Sequence, residues 1–72
     1  MGNSVIELGS LTISLKVKKI LKRSGINSEV IRVGRGGDNG CSYGIRFRSQ
    51  FLYDAIHLLK MAGIKYSLYN GP

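Results

Sequence analysis

An internal repeat constrains the fold of this 72-residue chain more than any other feature. The segment 21–28 (LKRSGINS) aligns with the segment 59–66 (LKMAGIKY), and the offset is 38 residues, from Gly25 to Gly63. Each copy has the pattern of a helix end: a glycine suited to the left-handed conformation that closes many helices, then an apolar residue that opens a strand. The repeat therefore predicts a helix-then-strand unit that occurs twice.

Two stretches have the period of an amphipathic helix, from about Ser10 to Ser24 and from about Ser49 to Ala62. Ser10 or Thr12 is suited to cap the first helix. The predicted inward residues of the first helix are Ile13, Val17, Ile20 and Leu21. Those of the second helix are Phe51, Leu52, Ala55, Ile56, Leu58, Leu59 and Ala62. The residues expected on the outer side of the second helix are Tyr53, Asp54, His57 and Lys60.

Four strand-like runs, at about 4–8, 27–33, 42–48 and 65–69, complete the order strand, helix, strand, strand, helix, strand. This order predicts an α+β, ferredoxin-like βαββαβ fold, built from two similar βαβ halves as a single domain over residues 1–72. Each helix has one apolar stripe, so both should cover the same face of a four-stranded antiparallel sheet. The first and third strands should be central.

The third strand alternates between apolar and polar or small residues, which predicts one buried and one open face. The residues expected under the helices are Tyr43, Ile45 and Phe47, and those on the open face are Gly44, Arg46 and Arg48. The glycine-rich segment 34–40 before this strand predicts a flexible loop. It lacks the Gly-Lys-Ser/Thr ending of a phosphate-binding loop, and a strand follows it where that motif requires a helix.

The net charge of +7 and the pI near 10.0 favour anionic partners, although charge alone also serves solubility. Five cations lie on the outer side of the first helix with no acid among them: Lys16, Lys18, Lys19, Lys22 and Arg23. Leu11 and Leu15 share the exposed side, which is ordinary for scattered leucines but is also compatible with a self-association patch and a homodimer.

Composition and the N-terminus indicate a cytoplasmic protein. A single cysteine cannot form an intramolecular disulfide, which favours a reducing compartment. The chain has no run of about 18 apolar residues that could span a membrane. The polar segment 1–4 has none of the apolar core of a secretory signal.

Several classes of enzyme site are absent from the sequence. His57 is the only histidine and has no partner at metal-ligand spacing, so we expect neither a metal site nor a cofactor. The chain has four acids, and no two form a motif for acid–base catalysis. We therefore expect a carrier or binding module rather than an enzyme.

Cys41 is the chemically distinctive residue, at the junction of the glycine-rich loop and the third strand. If this strand runs antiparallel to the first, its start lies beside Ser10 and the opening turn of the first helix. Free N–H groups and the positive end of the helix dipole there lower the pKa of a nearby thiol, and Arg35 adds positive charge. The alternative is that Cys41 is an inert apolar residue, as many free cysteines are.

The run 40–46 (GCSYGIR) and the helix ends at 21–26 (LKRSGI) and 54–64 (DAIHLLKMAGI) together resemble a small bacterial family of selenium/sulfur carrier-like proteins, first defined without an assigned function. The resemblance covers nearly the whole chain. It implies that Cys41 holds sulfur or selenium as a persulfide-type adduct. The chain departs from the family in its loop, where relatives often carry proline and apolar residues, and it lacks the Cys-Pro-x-Pro motif of better-understood sulfur carriers.

The leading hypothesis is a sulfur or selenium carrier with Cys41 as the acceptor thiol. The supporting residues are Gly40, Tyr43, Gly44, Ser10 and Arg35. A donor such as a cysteine desulfurase would dock on cations drawn from Lys16, Lys19, Lys22, Arg23, Arg46 and Arg48. One alternative is an anion-binding or RNA-binding module, although an RNA-recognition fold needs exposed aromatics where Tyr43 and Phe47 are predicted to face inward. The other alternative is a small-molecule regulatory domain.

Overall fold

The computed structural model describes residues 2–33 and 42–69 of the chain. The elements in chain order are β1 (Asn3–Glu7), α1 (Leu11–Arg23), β2 (Ser28–Arg32), β3 (Tyr43–Arg48), a 3-10 turn (Ser49–Phe51), α2 (Leu52–Met61) and β4 (Ser67–Tyr69). The predicted order of strands and helices is confirmed. The largest difference in bounds is at the start of α2, where the 3-10 turn takes the place of the predicted first helical turn.

The four strands form one antiparallel sheet in the order β2-β3-β1-β4, so the predicted central pair is confirmed. Ile6 of β1 lies opposite Ile45 of β3, and Val30 of β2 lies opposite Ile45 on its other side. Directly opposed residues of an antiparallel pair share a face. This register therefore puts the apolar positions of the two central strands under the helices.

The core contains the buried side chains of both helices and of one face of the sheet. Its fully or almost fully buried members are Ile6, Val17, Leu21, Ile26, Ile45, Phe47, Ala55 and Leu59. Residues of α1 and α2 join the same cluster as the inward residues of β1 and β3. Both helices therefore cover one face of the sheet, as a ferredoxin-like α+β fold requires.

The two helices end in the same way, which confirms the structural meaning of the repeat. After α1, the Gly25 N–H donates to the Lys22 carbonyl and the Ile26 N–H donates to the Leu21 carbonyl. After α2, the same bonds recur 38 residues later and join Gly63 and Ile64 to carbonyls of the last turn. Gly25 and Gly63 have φ of 81° and 71°, the left-handed values of a Schellman motif.

Two predictions about the helix faces need correction. Ser14, which the apolar pattern did not select, is completely buried, and its hydroxyl donates to the Ser10 carbonyl at 2.9 Å. That bond satisfies the hydroxyl, so a serine can occupy a core position. Ala62 was expected on the inner face of the second helix, but it is exposed because it follows the last helical residue as the C-cap. Within residues 2–33 and 42–69, no helix has the length and hydropathy needed to cross a bilayer.

Candidate site at the start of β3 and α1

The start of β3 is hydrogen-bonded to the turn that leads into α1. The Leu8 and Gly9 N–H groups both donate to the Tyr43 carbonyl at 2.9 Å, and the Tyr43 N–H donates to the Gly9 carbonyl at 3.4 Å. Two residues of one strand thus oppose one of the other, as in a β-bulge. Gly9 has φ of 92°, a value that favours glycine. This turn brings the first residue of β3 against the start of α1, as predicted.

The N-terminus of α1 is capped but carries no compensating acid. The Ser10 hydroxyl accepts a hydrogen bond from the Ile13 N–H at 3.0 Å, which confirms Ser10 as the cap. The N–H groups of Leu11 and Thr12 have no acceptor within the helix, because the first intrahelical bond runs from Ser14 to Ser10. The first turn of α1 has no acidic residue. Its positive dipole end is therefore open to an anion.

Gly44 is buried because β1 passes very close to it. A Cβ at this position would lie 2.4 Å from the Ile6 carbonyl oxygen and 3.2 Å from the Glu7 Cα. Both are backbone atoms, which cannot rotate away. The predicted role of Gly44 was to give access to a thiol. The structure gives a different reason for a glycine at this position, which is that a side chain would overlap the backbone of β1.

The site residues that sequence analysis predicted divide into two groups. The structure brings Ser10, Tyr43 and Gly44 to the same end of the sheet. Tyr43 is half-buried, and the Arg32 guanidinium lies 6.0 Å from its ring centroid, within the range of a cation–π contact. The other predicted site residues lie outside the described residues: Arg35, Gly40 and the proposed acceptor, Cys41. The glycine-rich segment 34–40 lies outside them as well.

The outer face of α1 is basic, as predicted, and it is exposed to solvent. Its five cations are exposed, and the helix contains no acidic residue. Leu11 and Leu15 also lie on this face, with 43% and 47% of their surface accessible. Both leucines belong to the first half of the helix, the half that starts beside β3.

The open face of the sheet has a different character from the face of an RNA-recognition module. On the central strands β1 and β3, no aromatic residue occupies an outward position, and Phe47 is buried on the helix side. Arg46 and Arg48 are exposed, as predicted. The Arg46 guanidinium pairs with the Glu29 carboxylate directly across on β2, so part of its charge is already compensated.

A shallow depression of about 730 Å³ lies at the same end of the sheet as the start of α1. Its lining residues are Glu7, Leu8, Gly9, Ile64, Lys65, Tyr66 and Ser67. No sequence pattern predicts this depression, because it depends on the proximity of the end of β1 to the segment before β4. Within residues 2–33 and 42–69, no three metal-ligating side chains come together.

Comparisons with known proteins identify the fold. No family model matches the sequence, and neither does any curated protein. A solved structure, the regulatory subunit of aspartate kinase from Thermus thermophilus in its ligand-free form, is similar over 93% of this chain with a TM-score of 0.57. The identity is 19%, and the match spans 47% of that protein, so the chain corresponds to about half its length. At this identity the likeness concerns the fold alone.

Proposed function

We propose that this protein is a sulfur or selenium carrier in which Cys41 is the acceptor thiol. The observation that supports the proposal is the hydrogen-bonded contact between Gly9 and Tyr43. Two peptide units link Tyr43 to Cys41, a chain length of at most about 7.6 Å between the two Cα atoms. In the proposed carrier, the acceptor thiol would lie near the uncompensated N-terminus of α1, because Cys41 precedes Tyr43 by only two residues in the sequence.

The helix end favours the reactive form of such a thiol. A thiolate gains from the free N–H groups of Leu11 and Thr12, whereas a neutral thiol gains little. A helix terminus contributes roughly 0.3–1 kcal/mol, which raises the ratio of thiolate to thiol about two- to fivefold. The Ser10 hydroxyl would be a second donor for such a thiolate, because a hydroxyl that accepts from Ile13 can still donate its own proton.

The transfer step needs no additional oxidant or reductant. The Cys41 thiolate attacks the outer sulfur of a persulfide on the donor protein, and a new S–S bond forms as the donor's S–S bond breaks. The donor's inner sulfur leaves as a thiolate, and the proton on the transferred sulfur stays with it or passes to water. Cys41 then carries the sulfur as a persulfide, and the same displacement by an acceptor thiol releases it.

The direct test incubates the protein with a cysteine desulfurase and L-cysteine and measures the mass of the intact chain. We expect one added sulfur atom on the wild-type protein and none on Cys41→Ser. Protein that stays unmodified with both a desulfurase and glutathione persulfide as donors would rule out the carrier function.

The repeat supplies a matched control for the location of the thiol. By the 38-residue offset, the counterpart of Cys41 is Asn3, whose strand starts beside α2. The helix α2 carries Asp54 in its first turn, and a carboxylate there opposes a thiolate. We expect Asn3→Cys in a Cys41→Ser background to load about two- to fivefold more slowly than wild type. Equal loading at both positions would show that any exposed thiol of this protein reacts.

A second candidate function, small-molecule regulation, is favoured by the depression at the same end of the sheet and by the fold of the regulatory subunit. The depression is lined by side chains of opposite charge, Glu7 and Lys65, which suit a small zwitterion. Thermal unfolding in the presence of each common amino acid tests this candidate. Stabilisation by one of them that is lost in Glu7→Gln would support it, and the absence of any shift would remove it.

A further inference from the structure

One side of the exposed face of α1 combines apolar and basic residues in a continuous stripe. The residues at positions i, i+4, i+7 and i+11 of a helix fall on the same side. Here those positions hold Leu11, Leu15, Lys18 and Lys22, and all four side chains are exposed. We call this set the leucine–lysine stripe. Its leucines lie at the end of α1 that starts beside β3, and its lysines lie toward the other end.

We propose that the leucine–lysine stripe is the surface on which the sulfur-donating protein docks, and that the donor presents an acidic surface with an apolar centre. This inference rests on the proposed carrier function. The two leucines would provide the water-excluding centre of the contact, in the half of α1 that starts beside β3. The two lysines would provide an electrostatic rim that favours acidic partners and speeds their encounter.

The composition of the stripe argues against the other anionic partners. Contacts with RNA need cations for phosphates and aromatic or arginine planes for bases, and exposed leucines add nothing to either. Insertion into a lipid surface needs a whole apolar helix face. The main apolar side of α1 is not available for this, because Val17 and Leu21 are buried in the core. A second copy of this chain would bring two basic helices together, and like charges repel.

The inference is tested with two sulfur donors of different size. The protein donor is the cysteine desulfurase of the same genome, supplied with L-cysteine, and the small donor is glutathione persulfide. The variants are Leu15→Ser, and Lys18→Glu with Lys22→Glu. The control combines Lys60→Glu with Met61→Ser, an exposed lysine and an exposed methionine on α2. The thermal midpoint of each variant checks its fold.

We expect both stripe variants to lower kcat/KM for loading from the desulfurase at least tenfold, and the control to lower it less than twofold. Loading from glutathione persulfide should stay within twofold of wild type in all of them, because that donor needs no docking surface. Wild-type loading from the desulfurase should also slow as salt rises, through screening of the lysines.

Several results would overturn the inference, and they differ from failure of the carrier function. If the stripe variants load from the desulfurase at the wild-type rate, the donor docks elsewhere while the carrier function stands. If loading from both donors falls equally while the thermal midpoint is unchanged, the stripe affects the thiol itself and is not a docking surface. If the stripe substitutions leave desulfurase loading intact and abolish binding of an RNA oligonucleotide at physiological salt, the stripe is a nucleic-acid-binding surface. If neither donor loads the wild-type protein, the carrier function fails and the docking inference fails with it.

Discussion

Substitution of Gly44 by alanine tests how β1 and β3 are packed at the candidate site. The new Cβ would lie 2.4 Å from the Ile6 carbonyl oxygen, whereas ordinary contacts of a Cβ begin near 3.4 Å. The overlap of about 1 Å falls on backbone atoms of the central strand pair, so it can be relieved only by moving the strands apart. Such a movement strains the hydrogen bonds that join Gly9 to Tyr43, the residue next to Gly44.

The cost can be estimated from this geometry. Overpacking of a well-packed core costs about 1–3 kcal/mol, and we expect a value of about 2–3 kcal/mol because backbone atoms must give way. A domain of this size has a stability of roughly 4–11 kcal/mol. With about 4–8 °C per kcal/mol for domains of 60–100 residues, the thermal midpoint of Gly44→Ala should fall by about 10–20 °C.

The assay is thermal and urea unfolding followed by circular dichroism, with Gly2→Ala as the matched control. A Cβ at Gly2 would lie 3.9 Å from the Ser49 hydroxyl oxygen, which is an ordinary contact. We expect the control to unfold within about 3 °C of wild type, as surface substitutions usually do. If Gly44→Ala is as stable as Gly2→Ala, the close approach of β1 to Gly44 is wrong, and so is the packing reason for this glycine.

Three further predictions concern the cap, the core and the open face. Ser10→Ala removes the acceptor of the Ile13 N–H, so urea unfolding should show a loss of about 0.5–2 kcal/mol, and Ser10→Asp should restore it; equal stability of the two variants would contradict the capping role. Leu59→Ala should cost about 2–5 kcal/mol, because this side chain is completely buried in the core; a loss below about 1 kcal/mol would contradict the assigned packing of α2. The affinity for an RNA oligonucleotide in a filter assay should be the same for wild type and for the variant with Arg46→Ala and Arg48→Ala. A large loss of measurable affinity in the variant would support the RNA-binding alternative.

Local sequence rules were sufficient to predict the fold. The glycines at 25 and 63 each follow a helix and precede an apolar residue, and both helices do end there in the same hydrogen-bond pattern. The alternation in the third strand correctly predicted that Ile45 and Phe47 are buried and that Arg46 and Arg48 are exposed. It was wrong for Gly44, which was expected on the open face and is buried, and Tyr43 is only half-buried. Both features depend only on residues within five positions along the chain. The helix end occurs twice because the sequence that encodes it is repeated. The burial of Ser14 was missed because a hydrophobic pattern does not register a hydroxyl that bonds back to its own helix.

The candidate site was only partly predictable, because it depends on contacts between distant parts of the chain. Topology alone predicted that β3 starts beside Ser10, since the first and third strands were expected to be antiparallel neighbours. The tight packing of Gly44 against Ile6 depends on the local path of two strands, and a glycine in a strand does not reveal which atom approaches it. The depression near Lys65 depends on where β4 joins the sheet, which no motif encodes.

The two halves of the molecule share one architecture but differ electrostatically at the starts of their helices. In the first half, α1 begins directly with a hydroxyl cap and has no acid in its first turn. In the second half, a 3-10 turn precedes α2, the Ser4 and Ser49 hydroxyls bond to each other at 2.8 Å, and Asp54 opposes an anion. A duplicated fold would otherwise offer two equivalent helix ends. In the sequence, the cysteine precedes the strand that starts beside α1, and its counterpart by the 38-residue offset is Asn3, in the strand that starts beside the 3-10 turn before α2. This asymmetry, rather than the fold, is the physical reason to look for sulfur chemistry at Cys41.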